Sequence, residues 1–198
     1  MIKYPNGVKT TCNQKINNQK APINYSNRGL LFEEEINTSN AYYRETNRAI
    51  IYKKPTPLKI VKTGINDKNK YCIQEAYFEQ PSTTDYNGIY KGRYIDFEAK
   101  ETKNKTSFPL SNIHLHQIEH LCKIIEHGGI GFIIVNFKML NEIYILDGKI
   151  LKKYVDGVTS SIPLKIFKQE GVLVKQGYIL RIDYLKAVDE YYFDKENI

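Results

Sequence analysis

The chain has 198 residues and a net charge of +7, and its 41% hydrophobic content excludes a wholly disordered protein. Neither an apolar run of about 18 residues nor an apolar secretory segment in residues 1–25 is present, so we expect a cytoplasmic protein without a membrane anchor. Cys12, Cys72 and Cys122 form no C-x-x-C pair, so neither a zinc site nor a disulfide framework is indicated.

The basic charge is concentrated near the start of the chain. Residues 1–28 contain no Asp or Glu and five basic residues, namely Lys3, Lys9, Lys15, Lys20 and Arg28. Such a surplus favours a polyanionic partner. We interpret residues 1–28 as a flexible basic arm and residues 29–198 as the folded domain. A disordered tail without a partner has the same composition, so this alternative stays open.

The first elements of the folded domain are a helix and a strand. Mixed helical spacing with acidic residues near its start predicts a helix over Gly29–Ala49. The β-branched and aromatic run Ala49–Tyr52 predicts a strand. Pro55 and Pro57 then interrupt regular structure.

A hairpin is predicted next. Two extended pieces, Leu58–Lys62 and Tyr71–Phe78, flank the polar tip Gly64–Lys70. We interpret residues 55–80 as a β stalk that projects from the body.

The second half of the chain alternates strands and helices. We predict a hairpin over 85–100 that turns at Lys91-Gly92, and an amphipathic helix over 111–127. Two strands, Ile130–Phe137 and Glu142–Leu146, follow, the first apolar enough to be buried on both faces. A helix from Asp183 to Phe193 closes the chain. This order predicts an α/β sandwich, with a mixed central β-sheet flanked by helices.

Charged residues share one face of a predicted strand. Asp96, Glu98 and Lys100 alternate with core residues, and the hairpin turn places Asp85 opposite Glu98. Facing carboxylates repel each other, and a divalent cation such as Mg²⁺ cancels the repulsion. This D…(D/E)-x-K arrangement is typical of the restriction-endonuclease-like nuclease core. The spacing alone leaves an exposed strand with salt bridges as an alternative.

A longer resemblance favours the nuclease interpretation. The stretch from Thr83 to Lys103 resembles the RecU family of Holliday-junction resolvases. The likeness extends over almost the whole chain, except for a weaker match over 138–175. Its further segments are Tyr25–Gly29, Lys53–Pro57, Ser107–Leu110, His116–His120, Gly177-Tyr178 and Arg181–Tyr184.

The resemblance assigns roles to individual residues. It implies metal coordination by Thr83, Asp85, Glu98 and Gln117, with Mg²⁺ as the cofactor and Mn²⁺ as a substitute. It also implies that Lys100 stabilises the transition state. Glu33 is similar to a helix glutamate that supports the metal site in related nucleases.

The resemblance also implies how DNA is bound. The stalk enters the open centre of a four-way junction, and Phe78 is similar to an aromatic residue that stacks on an exposed base. Arg28, Arg93 and Lys103 are candidate DNA contacts. His116 and His120 share a helical face, but without an H-E-x-x-H motif a structural or DNA-backbone role is favoured over zinc.

The predicted function is therefore the resolution of Holliday junctions in recombination and DNA repair. Paired hydrolysis by a homodimer would leave 5′-phosphate and 3′-hydroxyl ends. The strand-exchange recombinase and the branch-migration helicase are further candidate partners. Two alternatives remain: a restriction or repair nuclease that cuts ordinary duplexes, and a DNA-binding recombination accessory protein that does not cleave.

Overall fold

The computed structural model of the chain describes residues 30–78 and 83–194. The predicted arm, residues 1–28, lies outside this part. The helices are α1 Leu30–Glu45, α2 Leu115–Glu126, α3 Gly148–Asp156, α4 Leu164–Glu170 and α5 Tyr184–Tyr192. The strands are β1 Ile50–Lys53, β2 Leu58–Ile65, β3 Tyr71–Phe78, β4 Tyr86–Tyr90, β5 Arg93–Thr102, β6 Ser107–Pro109, β7 Ile130–Phe137, β8 Glu142–Asp147, β9 Ser161–Pro163 and β10 Val172–Leu173.

A six-stranded sheet forms the centre, in the order β1-β4-β5-β7-β8-β10. Strands β5 and β7 run parallel, with α2 in the connection between them, and every other pair is antiparallel. All eight residues of β7 are buried, as its apolar sequence predicted. The prediction of an α/β fold with a mixed central sheet flanked by helices is confirmed.

Each face of the sheet supports its own core. Alternate residues of β7, including Phe132, pack with α1 and α5, while the intervening residues, including Ile133, pack with α2, α3 and α4. On the α1 and α5 side, Phe97 of β5 stacks between Tyr86 and Phe132 at centroid distances of 4.8 and 4.9 Å. Because side chains alternate along a strand, the even-numbered side chains of β5 face the opposite side, which α2 covers.

The β4–β5 hairpin turns where the sequence predicts. Lys91 and Gly92 both have positive φ, +47° and +77°, which is the backbone of the tight turn that suits a twisted hairpin. The register pairs Tyr90 with Arg93 and Tyr86 with Phe97. Asp85 therefore lies one residue beyond the last pair, beside Glu98.

Strands β2 and β3 form a separate two-stranded sheet. Its register pairs Leu58 with Phe78 at the base and Ile65 with Tyr71 near the tip. Nearly every residue of β2 is exposed, so neither face of this hairpin is covered by the rest of the described chain.

Several predicted boundaries were wrong for local reasons. Helix α1 ends at Glu45 rather than Ala49, because Asn47 adopts a positive φ of +54°. Helix α2 begins at Leu115 rather than at residue 111, because His114 is extended and caps it, and a short 3-10 turn, Leu110–Asn112, precedes it.

The region 138–175 contains two helices that the sequence analysis missed. Asp147 caps α3 by accepting a hydrogen bond from the backbone N–H of Lys149 at 2.8 Å. Helix α4 buries Phe167 against the sheet. Within residues 30–78 and 83–194, no helix has the length and apolar character needed to cross a membrane.

Candidate active site

The two predicted acids lie side by side at the start of β4 and in the middle of β5. Oδ2 of Asp85 accepts a hydrogen bond from the backbone N–H of Ala99 at 3.1 Å. That bond holds the carboxyl group against β5, within hydrogen-bonding reach of the carboxyl group of Glu98. The hairpin register thus produces the predicted juxtaposition of Asp85 and Glu98.

Glu98 is buried, with 1% of its surface exposed. Its Oε1 accepts hydrogen bonds from Nζ of Lys100 and from Nε2 of Gln117, the latter at 2.7 Å. Its Oε2 has no hydrogen-bond partner among the described residues. A buried carboxylate oxygen without a donor is costly, so this atom is a position where a cation would be favoured.

Burial disfavours the negative charge of both acids. Burial and then the charge of Asp85 raise the pKa of Glu98 to about 7, although Lys100 and Gln117 counteract this. Burial likewise raises the pKa of Asp85, against the lowering effects of the Ala99 N–H and Lys100. A divalent cation between the two carboxylates would remove both penalties.

The donor set fits a hard cation that keeps much of its coordination for other oxygens. Among the described residues, no three or more His, Cys, Asp or Glu side chains are grouped as a metal site. Asp85 and Glu98 would supply two carboxylates, and water, amide or phosphate oxygens would complete the shell. Mg²⁺ accepts such a shell, whereas structural zinc does not.

Gln117 reaches the site in an orientation that the sequence does not reveal. Its Oε1 accepts a hydrogen bond from the backbone N–H of His114 at 3.0 Å, while its Nε2 faces Glu98. In this arrangement the amide orients Glu98 and directs its nitrogen, not its oxygen, at the carboxylate. The role of Gln117 as a metal ligand stays a prediction and requires the amide to turn.

Thr83 and Glu33 lie at the edge of the site. The exposed Thr83 accepts a hydrogen bond from Nζ of Lys54 at 3.1 Å through its hydroxyl oxygen. Glu33, on the first turn of α1, pairs with Lys53, and its charge helps to raise the pKa of Asp85. The predicted ligand role of Thr83 and the supporting role of Glu33 remain predictions.

An open cleft beside the site carries basic side chains. Lys100 and Lys103 line it together with Glu33. This placement gives Lys103 access to a phosphate backbone in the cleft, although its DNA contact stays a prediction.

Arg93, one of the candidate DNA contacts, lies far from the acids, and its contact with DNA stays a prediction. Arg93 begins β5, about 23 Å along an extended strand from Lys100. Its guanidinium group donates to the backbone oxygens of Gly128 and Gly129 just after α2, at 3.0 and 3.3 Å. Arg28 and the side chain of Phe78 lie outside the described part of the chain.

The sequence analysis missed a buried polar cluster next to the acids. Asp96 was expected to share a solvated or metal-binding face with Glu98, but it is fully buried. Its partners are Lys54, Thr84, Tyr94 and His120. The available signal was the period of two in β5, which places Asp96 on the face that α2 covers.

The chain also resembles known proteins over nearly its whole length. A model of the RecU family, described as Recombination protein U, matches residues 27–190. The chain belongs to the RecU family. It is 50% identical to the Holliday junction resolvase RecU of Bacillus cereus (strain G9842), over 97% of this chain and 98% of that protein.

The proteins of the same name from Bacillus thuringiensis (strain Al Hakam) and Bacillus anthracis (strain A0248) match to the same extent. The chain thus combines membership of the RecU family with a site in which Asp85, Glu98 and Lys100 lie together.

Proposed function

We propose that this RecU-family chain is a Mg²⁺-dependent endonuclease that resolves four-way Holliday junctions, with a core of the restriction-endonuclease type. The observation that carries the proposal is the buried Oε2 of Glu98, which has no donor among the described residues and belongs to a carboxyl group beside Asp85. The resolvases that are 50% identical over nearly their whole length support the choice of substrate.

Asp85 and Glu98 would hold the cation, with Thr83 and Gln117 as the further expected ligands. When bound, Mg²⁺ supplies a water of lowered pKa and neutralises charge on the scissile phosphate. Mn²⁺, with similar oxygen preferences, is expected to substitute. The Ala99 N–H fixes Asp85, and α2 fixes Glu98 through Gln117, so both acids are oriented in advance.

Lys100 would act on the phosphate. In this structure its ammonium group pairs with Oε1 of Glu98, a carboxylate that would also hold the cation. Lys100 would then be free to donate to a phosphate oxygen and stabilise the charge of the transition state. The attacking water would lose a proton to solvent as its oxygen forms a new P–O bond and the P–O3′ bond breaks. The 3′ oxygen takes a proton, which leaves 5′-phosphate and 3′-hydroxyl ends.

A homodimer would supply the two cuts that a two-fold symmetric junction needs. Large apolar side chains are exposed on α1 and on the edge strand β1 and its neighbour, where a second copy would bury them. They are Leu31, Ile50, Tyr52 and Ile89. β1 is also an edge strand of the sheet, although the backbone oxygen of Ile51 accepts a hydrogen bond from Arg44.

The β2–β3 hairpin would select the substrate. Both strands are exposed and pair only with each other among the described elements, so the hairpin is free to enter the open centre of a junction. Phe78 would stack on a base there, and Arg28, Arg93 and Lys103 would contact the backbone. A cytoplasmic location and binding to the strand-exchange recombinase and the branch-migration helicase rest on the family resemblance alone.

The test is cleavage of a synthetic mobile four-way junction and of a linear duplex of the same sequence, each with Mg²⁺ or with a chelator. We expect paired nicks in the junction with Mg²⁺ only, and ends that DNA ligase seals. Equal cutting of both substrates would favour the duplex nuclease instead. Binding of the junction without any cutting in the presence of Mg²⁺ would favour the accessory protein.

A further inference from the structure

Asp96 precedes Glu98 by two residues on β5 and is completely buried. Four donors from four different segments surround its carboxylate. Nζ of Lys54 lies 2.7 Å from Oδ2, the Tyr94 hydroxyl 3.1 Å and Nε2 of His120 3.2 Å, while the Thr84 hydroxyl donates to Oδ1.

This pattern separates Asp96 from the two acids of the site. Three of these donors contact Oδ2 and the fourth contacts Oδ1, so both oxygens of this buried carboxylate have protein partners. Glu98, by contrast, has a buried oxygen with no donor among the described residues. Asp96 is fully buried and both of its oxygens are bonded to the protein, so its contribution to the site acts through these neighbours.

The first neighbour is Lys54, which holds the turn that carries Asp85. Besides Asp96, its ammonium group donates to the hydroxyl oxygens of Thr83 and Thr84. Its backbone N–H donates to the carbonyl oxygen of Asp85 at 2.7 Å. Asp96 neutralises and orients this lysine, so the position of Asp85 depends on the buried carboxylate of Asp96.

The second neighbour is His120, which connects Asp96 to helix α2. His120 lies three residues after Gln117, so both side chains project from the same side of α2. Gln117 binds Glu98, and His120 binds Asp96. Glu98 and Asp96 lie two residues apart on β5. The helix is thus attached to the strand at two adjacent points, one of which is Asp96.

We infer that Asp96 is a positioning residue that sets the separation of Asp85 and Glu98 for the metal, through Lys54 on one side and His120 on the other. This inference rests on the proposed function. Without the Asp96 charge, the two acids are expected to move apart in the metal-free protein because they repel each other. Metal binding then has to bring the two acids together again, and this cost lowers the affinity for the metal.

The experiment compares Asp96→Asn with Asp147→Asn. Asp147 is also a buried carboxylate, 6% exposed, but it caps α3 and binds the Tyr192 hydroxyl. Mn²⁺ affinity is measured by calorimetric titration of the metal-free full-length chain, and unfolding temperature by calorimetry. We expect both variants to unfold at lower temperature, but only Asp96→Asn to lose Mn²⁺ affinity, by about 10- to 100-fold.

A milder pair covers the case in which Asp96→Asn does not fold. Tyr94→Phe removes one donor from Asp96, and Tyr144→Phe removes a comparable hydroxyl that binds Glu142 at 2.8 Å. We expect Tyr94→Phe alone to lose Mn²⁺ affinity, by about threefold. Equal Mn²⁺ affinity in both members of each pair that folds would overturn the inference.

Cleavage by the wild-type chain separates this inference from the proposed function. If the wild type cuts junctions while its variants bind Mn²⁺ as it does, only the positioning role of Asp96 is wrong. If the variants differ in Mn²⁺ affinity as expected but the wild type cuts no junction, only the resolvase function is wrong.

Discussion

Nε2 of Gln117 lies 2.7 Å from Oε1 of Glu98, so helix α2 holds one oxygen of the carboxylate while the other has no donor among the described residues. The carboxyl group is therefore oriented before any cation arrives. Such preorganisation lowers the free-energy cost of assembling the metal site. Substitution of each nearby side chain can therefore test its contribution to the site.

Loss of either acid should abolish cleavage but spare DNA binding. Asp85→Asn and Glu98→Gln each remove a charge that the cation needs, without adding bulk. Cleavage and junction binding are measured by gel assays, the latter without metal. Asp156→Asn, at an exposed residue at the end of α3, is the control with wild-type activity. Joint loss of binding and folding in the site variants would indicate a structural role instead.

Lys100→Ala should slow the chemical step by roughly 10²- to 10⁴-fold, because the ammonium group stabilises charge that develops only in the transition state. Single-turnover rates at saturating protein measure this step. Lys103→Ala is the matched control from the same cleft, and it should weaken junction binding and its salt dependence while leaving that rate nearly unchanged. Near-normal single-turnover cleavage by Lys100→Ala would remove this lysine from the mechanism.

The metal-free chain should lose stability as pH rises from about 4.5 to about 7. In this window the unfolded chain releases the Glu98 proton, whereas burial keeps it bound in the folded chain, whose Glu98 pKa is about 7. Above pH 7 the folded state carries the full free-energy cost of burying the ionised Glu98 carboxylate. Glu98→Gln should therefore match wild type near pH 4.5 and exceed its stability at pH 8 by on the order of 1 to 3 kcal/mol.

Chemical denaturation with a chelator present measures this difference. Glu101→Gln serves as the control, since Glu101 lies on the same strand but is paired with Lys138. Added Mg²⁺ should restore the stability of the wild type and leave Glu98→Gln almost unaffected. A stability gain that is the same at both pH values would contradict the assignment.

Removal of the β2–β3 hairpin should impair four-way junctions selectively. Leu58 and Phe78 are register partners, so a short Gly-Ser linker can replace residues 59–77 without straining the sheet. We expect weaker binding and slower cutting of junctions, with duplex binding unchanged. A variant lacking only the tip, residues 66–69, should have an intermediate effect. Equal losses on junction and duplex would discredit the hairpin as the selective element.

The sequence predicts those parts of the fold that have a strong period. Alternation in the β4–β5 hairpin gives both its turn and the proximity of Asp85 to Glu98. The apolar run of β7 gives its burial on two faces. Helices α3 and α4 escaped prediction because they are short and depend on packing against the sheet, which local sequence does not encode.

The site was only partly predictable for a related reason. The acids and Lys100 belong to one hairpin, so strand geometry alone relates them. The hydrogen bonds of Asp96 come from Lys54, Thr84 and His120, on segments that only the tertiary fold brings together. Arg93 is the opposite case, because this basic residue is close in sequence to the acids but lies at the far end of the strand.

Residues 83–117 supply every group expected to touch the metal, whereas the β2–β3 hairpin and the exposed apolar side chains of α1 and β1 come from earlier in the chain. Bond breaking and DNA choice are therefore encoded in separate stretches. A hairpin of different length or charge would direct the same active site to another branched DNA. A variant with such an exchanged hairpin would keep its catalytic residues unchanged.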